Sequence, residues 1–137
     1  MQRRGFLLCL LALAEPSSLL ELFASMAQAL SAGNPTDFLA PFDRRMPDYR
    51  KLETQIFALL NQAEVTSSVE LLQDQGDNQR RRVELDWILE IRSDLPAGPS
   101  ERRRQLLKAA LTRQGKSWKI VSLEPLSFFA PQSSMTQ

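Results

Sequence analysis

Along Val83–Ile91 apolar and polar residues alternate. Val83, Leu85, Trp87, Leu89 and Ile91 fall on one side of an extended strand, and Glu84, Asp86, Ile88 and Glu90 on the other. An unbroken apolar face centred on Trp87 predicts a middle strand of an antiparallel sheet covered on one side. Upstream the period is helical. Leu19, Leu20, Phe23, Met26, Ala27 and Leu30 form a stripe within Ser17–Ala32, with Ser17 or Ser18 as cap and Gly33 as terminator. Asn34-Pro35-Thr36-Asp37 then starts a short helix, Asn34 capping and Pro35 in the first helical position. Phe38, Leu39 and Phe42 are its buried side, and Pro41 stops it. A third helix is predicted over Asp48–Asn61, with Tyr49, Leu52, Ile56, Leu59 and Leu60 inward and Arg50, Lys51, Glu53 and Gln55 toward water.

The period changes at Ala63–Gln73, where Val65, Ser67, Val69 and Leu71 share one face of a strand, and Gln75-Gly76-Asp77-Asn78 supplies a turn before Val83–Ile91. After the breaker-rich loop Ser93–Ser100, Glu101–Arg113 would pass for a helix on composition. It is read as a strand because so short a loop joins antiparallel neighbours, and because a turn at Gln114-Gly115 leads into the strand Ser117–Leu123. Leu126–Ala130, between Pro125 and Pro131, is expected to be extended. The prediction is an α+β fold: N-terminal helices packed on a curved antiparallel sheet of four or more strands.

The apolar face decides a register, and charge pairing agrees with it. With Trp87 opposite Leu107 and Leu111 opposite Trp118, the strands share an inner face of Val83, Leu85, Trp87, Leu89, Ile91, Leu107, Ala109, Leu111, Trp118 and Ile120. Glu90 then meets Arg104 and Asp86 meets Lys108 on the outer face. On this reading the inner face carries no titratable group, with Gln105, Ser122 and Glu124 at its rim. Asp86, the most tempting acid or base in the chain, becomes a solvated ion-pair partner. Outside lie Ile88, Leu106, Val121 and Leu123, an apolar cluster expected to be covered by Phe128-Phe129 or by a second subunit in a homodimer. Arg80-Arg81-Arg82 and Arg102-Arg103-Arg104 sit at opposite ends of the sheet and read as solubilising charge.

The chain has 137 residues, enough for one domain with a single core, and its 43% hydrophobic and 24% charged content is that of a globular protein. A net charge of +1, with no aromatics interleaved among the arginines, argues against nucleic acid as a partner. There is no histidine, the usual general base near neutral pH and the commonest metal ligand. The one cysteine, Cys9, provides neither an internal disulfide nor a thiolate zinc site, so no metal and no cofactor is expected. Met1–Ala14 has the parts of an export signal: Arg3 and Arg4, the apolar run Phe6–Leu13, and Ala12 and Ala14 at an Ala-x-Ala cleavage site. That run is far short of the ~20 residues needed to span a bilayer. The expected division is a signal peptide at 1–14, a domain at 15–131 and a disordered polar tail at 132–137, with the mature protein periplasmic or secreted.

Helices followed by a long curved meander, carried by Ser17–Ala32, Asn34–Ala40, Val83–Ile91 and the closing run Gly115-Lys116-Ser117-Trp118-Lys119-Ile120-Val121-Ser122, resemble the NTF2-like (SnoaL-like, cystatin-like α+β) superfamily. The resemblance implies a sheet wrapped into a cone whose mouth is lined by helices. It also implies a range of roles, from isomerases, dehydratases and hydrolases to lipid carriers and domains with no activity. Enzymatic members place aspartate, histidine or tyrosine inside the cone; here histidine is absent and Tyr49 is the single tyrosine. The preferred expectation is a non-catalytic binding or interaction module. Phe23, Ile56, Leu85, Trp87, Leu89, Leu107, Trp118 and Ile120 would line the cone, around an apolar small molecule or as filled core. The alternative is a cofactor-independent lyase, isomerase or hydrolase using Asp37, Asp43 or Asp48 at the cone mouth, with Tyr49 donating to a developing oxyanion. Asp37 and Asp48 equally suit helix N-termini, and Asp43 could pair with Arg44 or Arg45.

Overall fold

The computed structural model describes residues 18–132; the segment expected to be an export signal, Ser17 and residues 133–137 lie outside them. Helix α1 is described over residues 18–31, followed by α2 (Pro35–Leu39) and α3 (Tyr49–Gln62). Four strands then form an antiparallel meander in the order β1 (Ala63–Gly76), β2 (Arg80–Ser93), β3 (Ser100–Gln114) and β4 (Ser117–Glu124). A 3₁₀ turn at Leu126–Phe129 closes the described chain.

Local chemistry accounts for the boundaries. At the end of α1 the Gly33 N–H reaches the Leu30 carbonyl (3.0 Å) and the Asn34 N–H reaches that of Ala29 (2.9 Å), with Gly33 at φ 71°, the left-handed conformation that glycine adopts without strain. Asn34 then caps α2, its side chain accepting from the Asp37 N–H at 3.0 Å. Asp77 closes the β1–β2 turn by accepting from the N–H groups of Gln79 and Arg80 at 2.8 and 2.9 Å. Each outer strand is tied to the helical layer through its backbone. The Ser67 N–H of β1 donates to Ser31 Oγ (2.9 Å), and β4 is bridged at Ile120 by Phe42, with Ile120 N–H bonded to Pro41 O and Asp43 N–H to Ile120 O, both 2.9 Å.

The alternation of Val83–Ile91 holds: Val83, Leu85, Trp87, Leu89 and Ile91 are all buried against the helices. The register is displaced by two residues. Trp87 faces Gln105 and Leu107 faces Leu85, while Leu111 faces Ile120 and Trp118 faces Arg113. The loop between β2 and β3 is tighter than its composition suggested, with Arg92 already opposite Ser100. A two-residue slip leaves every side chain on its face, because the pleat repeats every two residues. It changes the charge pairs: Glu90 meets Arg102, Asp86 is bonded by Arg104, and Lys108 lies opposite Glu84.

Several expectations are corrected. Leu123 is buried in the core, because the β3–β4 pairing jumps from Ala110↔Ser122 to Leu111↔Ile120 and Val121 is bulged out. The C-terminal segment is a 3₁₀ turn rather than extended, and Phe128 and Phe129 enter the core instead of covering the outer face. Leu20 is exposed, and Gln55 is half-buried, its Oε1 without a partner among the described residues. Gln132, grouped above with the tail, is buried, its N–H donating to Gln62 Oε1 at 2.6 Å.

Candidate functional site

The centre of the molecule is Trp87, with no exposed surface, in the middle of β2. Three rings from three other elements stand against it: Phe23 of α1 at 6.4 Å, Phe38 of α2 at 6.4 Å, and Phe129 of the C-terminal turn at 5.3 Å. The Phe23 and Phe129 rings meet the indole edge-on, at 89°. Phe129 in turn packs on Phe38 (5.2 Å) and Phe128 (5.1 Å). The indole N–H donates to Ser67 Oγ at 2.8 Å, so the one polar atom of this ring has an acceptor. All eight residues expected to line the cone belong to this core, each at most 9% exposed. Their neighbours are the protein's own side chains.

The inner face of the sheet does carry charge, contrary to the expectation from sequence. Arg103 has the parity of Leu107 and turns inward from β3, its side chain 15% exposed. Glu101 holds one edge of its guanidinium (Nε–Oε2 2.7 Å, Nη2–Oε1 3.2 Å), and Nη1 donates to the carbonyls of Phe128 and Ala130, both at 2.7 Å. Arg102 and Arg104, of the other parity, pair outward with Glu90 and Asp86. The triplet therefore solubilises with its outer members and clamps the C-terminal segment with its middle one. Arg81 behaves likewise, pairing with Asp74 at 2.7 Å.

The candidate acids do not converge. Asp37 is exposed at the start of α2 and bonded reciprocally by Asn34 Nδ2 at 2.8 Å. Asp48 is exposed at φ 67° just before α3 and shares an open surface groove with Tyr49, Arg44 and Arg50. Asp43 pairs with Arg45 (3.3 Å). It also accepts from the Arg45 N–H (2.8 Å) and from Gln114 Nε2 (3.0 Å), tying its loop to the end of β3. The Arg45 backbone N–H, then the Gln114 amide and the Arg45 guanidinium, hold its carboxyl well below the usual range. Among the described residues, every carboxylate with a displaced pKa moves the same way. Backbone N–H groups of Arg80 and Gln79 lower Asp77, Arg104 lowers Asp86 and Arg103 lowers Glu101. Lowered pKa values suit ion pairs and caps, not acids poised for proton transfer at neutral pH.

On the outer face, with Leu123 withdrawn into the core, Ile88 and Val121 are half-buried and Leu106 is exposed. Leu106 stands opposite Asp86, and Ile88 opposite Arg104, so the Asp86–Arg104 pair crosses between them. At the β2–β3 end of the sheet, a polar cleft of about 840 Å³ runs past Ser31, Thr66, Glu90 and Arg92 to Glu101.

Several solved structures share this architecture over most of their length. A scytalone dehydratase-like protein from Novosphingobium aromaticivorans superposes with a TM-score of 0.69 at 12% identity, covering 82% of this chain and 83% of the other. A type 2 hexachlorocyclohexane dehydrochlorinase gives 0.66 at 9% identity over 82% and 84%. A domain with a cystatin-like fold from Nostoc punctiforme gives 0.59 at 17% identity over 80% and 75%. The fold is the NTF2-like, cystatin-like α+β fold. No protein-family model and no curated protein sequence matches the chain. Within this NTF2-like cone, the space between sheet and helices is occupied around Trp87 by Phe23, Phe38 and Phe129.

Proposed function

We propose that this NTF2-like domain is an exported, non-catalytic binding and interaction module. The observation that carries the reading is the inside of the cone. Around Trp87 it presents aromatic rings and Ser67, and the charged pairs of inward parity are spent on structural ties, Glu101–Arg103 on the C-terminal segment and Arg81–Asp74 across the β1–β2 hairpin. General acid–base catalysis needs a titratable group positioned at a reacting centre. Asp37 is instead bonded at a helix cap and Asp43 in a loop tie, while Asp48 lies exposed in an open surface groove. Export is supported by Arg3, Arg4, the run Phe6–Leu13 and the Ala12/Ala14 pair.

Two of the structural neighbours are described as a dehydratase-like protein and a dehydrochlorinase, which makes eliminations the reactions to assay. The purified protein should turn over neither scytalone nor hexachlorocyclohexane. Turnover abolished by Asp48→Asn or Asp37→Asn would replace the binding reading with the enzymatic one. For export, N-terminal sequencing of the protein recovered outside the cytoplasm should begin at Glu15, and an intact Met1 in the cytoplasm would refute it.

A further inference from the structure

The meander gathers positive charge at one end of the molecule. The β1–β2 and β3–β4 turns both lie there, joined where the Arg113 N–H donates to the Gln79 carbonyl at 2.9 Å. Arg80, Arg81 and Arg82 begin β2 at this end, and Arg113, Lys116 and Lys119 surround the β3–β4 turn. The loop that carries Arg44 and Arg45 is fastened to the same end, by Gln114 Nε2 on Asp43 and by Lys119 Nζ on the Ala40 carbonyl, both 3.0 Å. The carboxylates here are used in ties. Asp43 holds Arg45, Asp74 holds Arg81, and Asp77 accepts from the backbone of its own turn. Arg80, Arg82 and Lys116 are exposed and have no ion-pair partner among the described residues. Glu21, in the first turn of α1, is exposed as well, and cations still outnumber carboxylates. Since the whole chain has a net charge of +1, this surplus comes from placement rather than from composition. On the outer face Arg80 and Lys119 flank Thr112, and Arg82 stands opposite Ala110, so short side chains leave the cations standing above the surface. The chain ahead of the domain arrives at the same place. Ser18 lines a groove of about 430 Å³ with Arg113, Lys116, Trp118 and Lys119, so the apolar run Phe6–Leu13 joins the domain at its basic end.

We propose that this end is a docking surface for an anionic lipid bilayer, held to headgroup phosphates by Arg80, Arg82 and Lys116 around the two turns. Each basic group close to an anionic bilayer strengthens attachment about fivefold, and the attraction fades within a Debye length, so the contact is peripheral and reversible with salt. It needs no insertion into the hydrocarbon. Nucleic acid offers phosphate too, but a single strand is held by stacking its bases on exposed rings. Trp118, the ring beside these cations, is buried, with Arg113 lying over it at 5.4 Å. A blunt end with cations spread over two turns and a loop suits a surface of headgroups better. This rests on the reading of the domain as an exported interaction module and names the partner.

The test is co-sedimentation of the full-length protein with vesicles of phosphatidylcholine, either alone or with about 30% phosphatidylglycerol, in about 0.05 M sodium chloride. Comparing the two vesicles cancels any affinity of Phe6–Leu13 for bilayers, because that run meets both. Binding should be about tenfold or more tighter to the anionic vesicles, and about 0.5 M sodium chloride should remove the difference. Arg80→Gln combined with Lys116→Gln should weaken binding to the anionic vesicles by about thirtyfold. Arg92→Gln combined with Arg102→Gln makes the same change in net charge at the other end of the sheet, and should leave binding within about twofold of the wild type. All of these side chains are exposed, so both variants should keep native circular dichroism. Equal losses from the two pairs, or equal binding to the two kinds of vesicle, overturn the proposal. Tighter binding to single-stranded oligothymidine than to the anionic vesicles in the same salt also overturns it, in favour of nucleic acid. Protein retained in the cytoplasm with Met1 intact would refute export and leave the docking surface standing. Vesicle binding that ignores lipid charge would do the reverse.

Discussion

Ser67 Oγ accepts the indole N–H of Trp87 at the heart of the core, and the value of this bond lies in what would remain without it. Trp87 has no exposed surface, so its indole N–H has no water to turn to if Ser67 Oγ, 2.8 Å away, is removed. Ser67→Ala should lower stability by roughly 1–3 kcal/mol, measured by urea unfolding, the cost of a buried donor left without an acceptor. The strand itself should be unaffected, since the Ser67 bond to Ser31 runs through the backbone N–H. In a Trp87→Phe background the donor is gone, and the same Ser67→Ala change should cost less than about 0.5 kcal/mol. Equal costs in both backgrounds would mean that the hydroxyl acts through something other than the indole. Residue scale also corrects the reading of the arginines. The middle members Arg81 and Arg103 have inward parity with Val83 and Leu107, so alternation alone could have separated them from their neighbours.

At the scale of elements, what the sequence made legible is what period two controls. The faces of β2 and β3 follow from parity, and a slip of two residues, as from Trp87↔Leu107 to Trp87↔Gln105, leaves them intact. For the same reason, face-based reasoning could not detect the slip; turn geometry decided it. The β-bulge at Val121 was illegible because Val121 and Leu123 look alike as outward residues of a regular strand. With the extra residue inserted, Trp118, Ile120 and Leu123 all point inward despite their uneven spacing. The C-terminal turn misled for a related reason. Adjacent Phe128 and Phe129 would lie on opposite faces of an extended chain, whereas a 3₁₀ turn buries both. The bulge has a measurable consequence. Deleting Val121 removes the extra residue, so pairing becomes regular while Ser122 and Leu123 keep their places opposite Ala110 and Ala109 and Leu123 stays in the core; the urea midpoint should change little. A loss of roughly 1.5–3 kcal/mol, the worth of burying Leu123, would mean that Val121 is not the residue that the bulge accommodates.

Over the whole molecule, the titratable groups predict an asymmetric response to pH. The chain has no histidine, so no side chain of ordinary pKa changes charge between pH 5 and 8, and stability should be flat across that range. The acid side differs. Asp43, Asp77, Asp86 and Glu101 have folded pKa values below their usual 3.8 or 4.5. A carboxyl lowered by folding contributes stability that is fully present above its unfolded pKa and lost as pH falls through the folded value. The urea midpoint should therefore hold from pH 8 to 5 and drop below about pH 4, in the range where these carboxylates take up protons. Glu101 adds a local event, because its protonation frees the edge of Arg103 that it holds. As pH falls below 4.5, the C-terminal turn should loosen before the sheet unfolds, seen as faster hydrogen exchange at Ala130 and a change in Trp87 fluorescence. Glu101→Gln should show the loosened turn already at pH 7, with its exchange no longer rising through this window. A wild-type turn that exchanges at one rate from pH 7 to the onset of global unfolding would show that Arg103 holds the segment without help from Glu101.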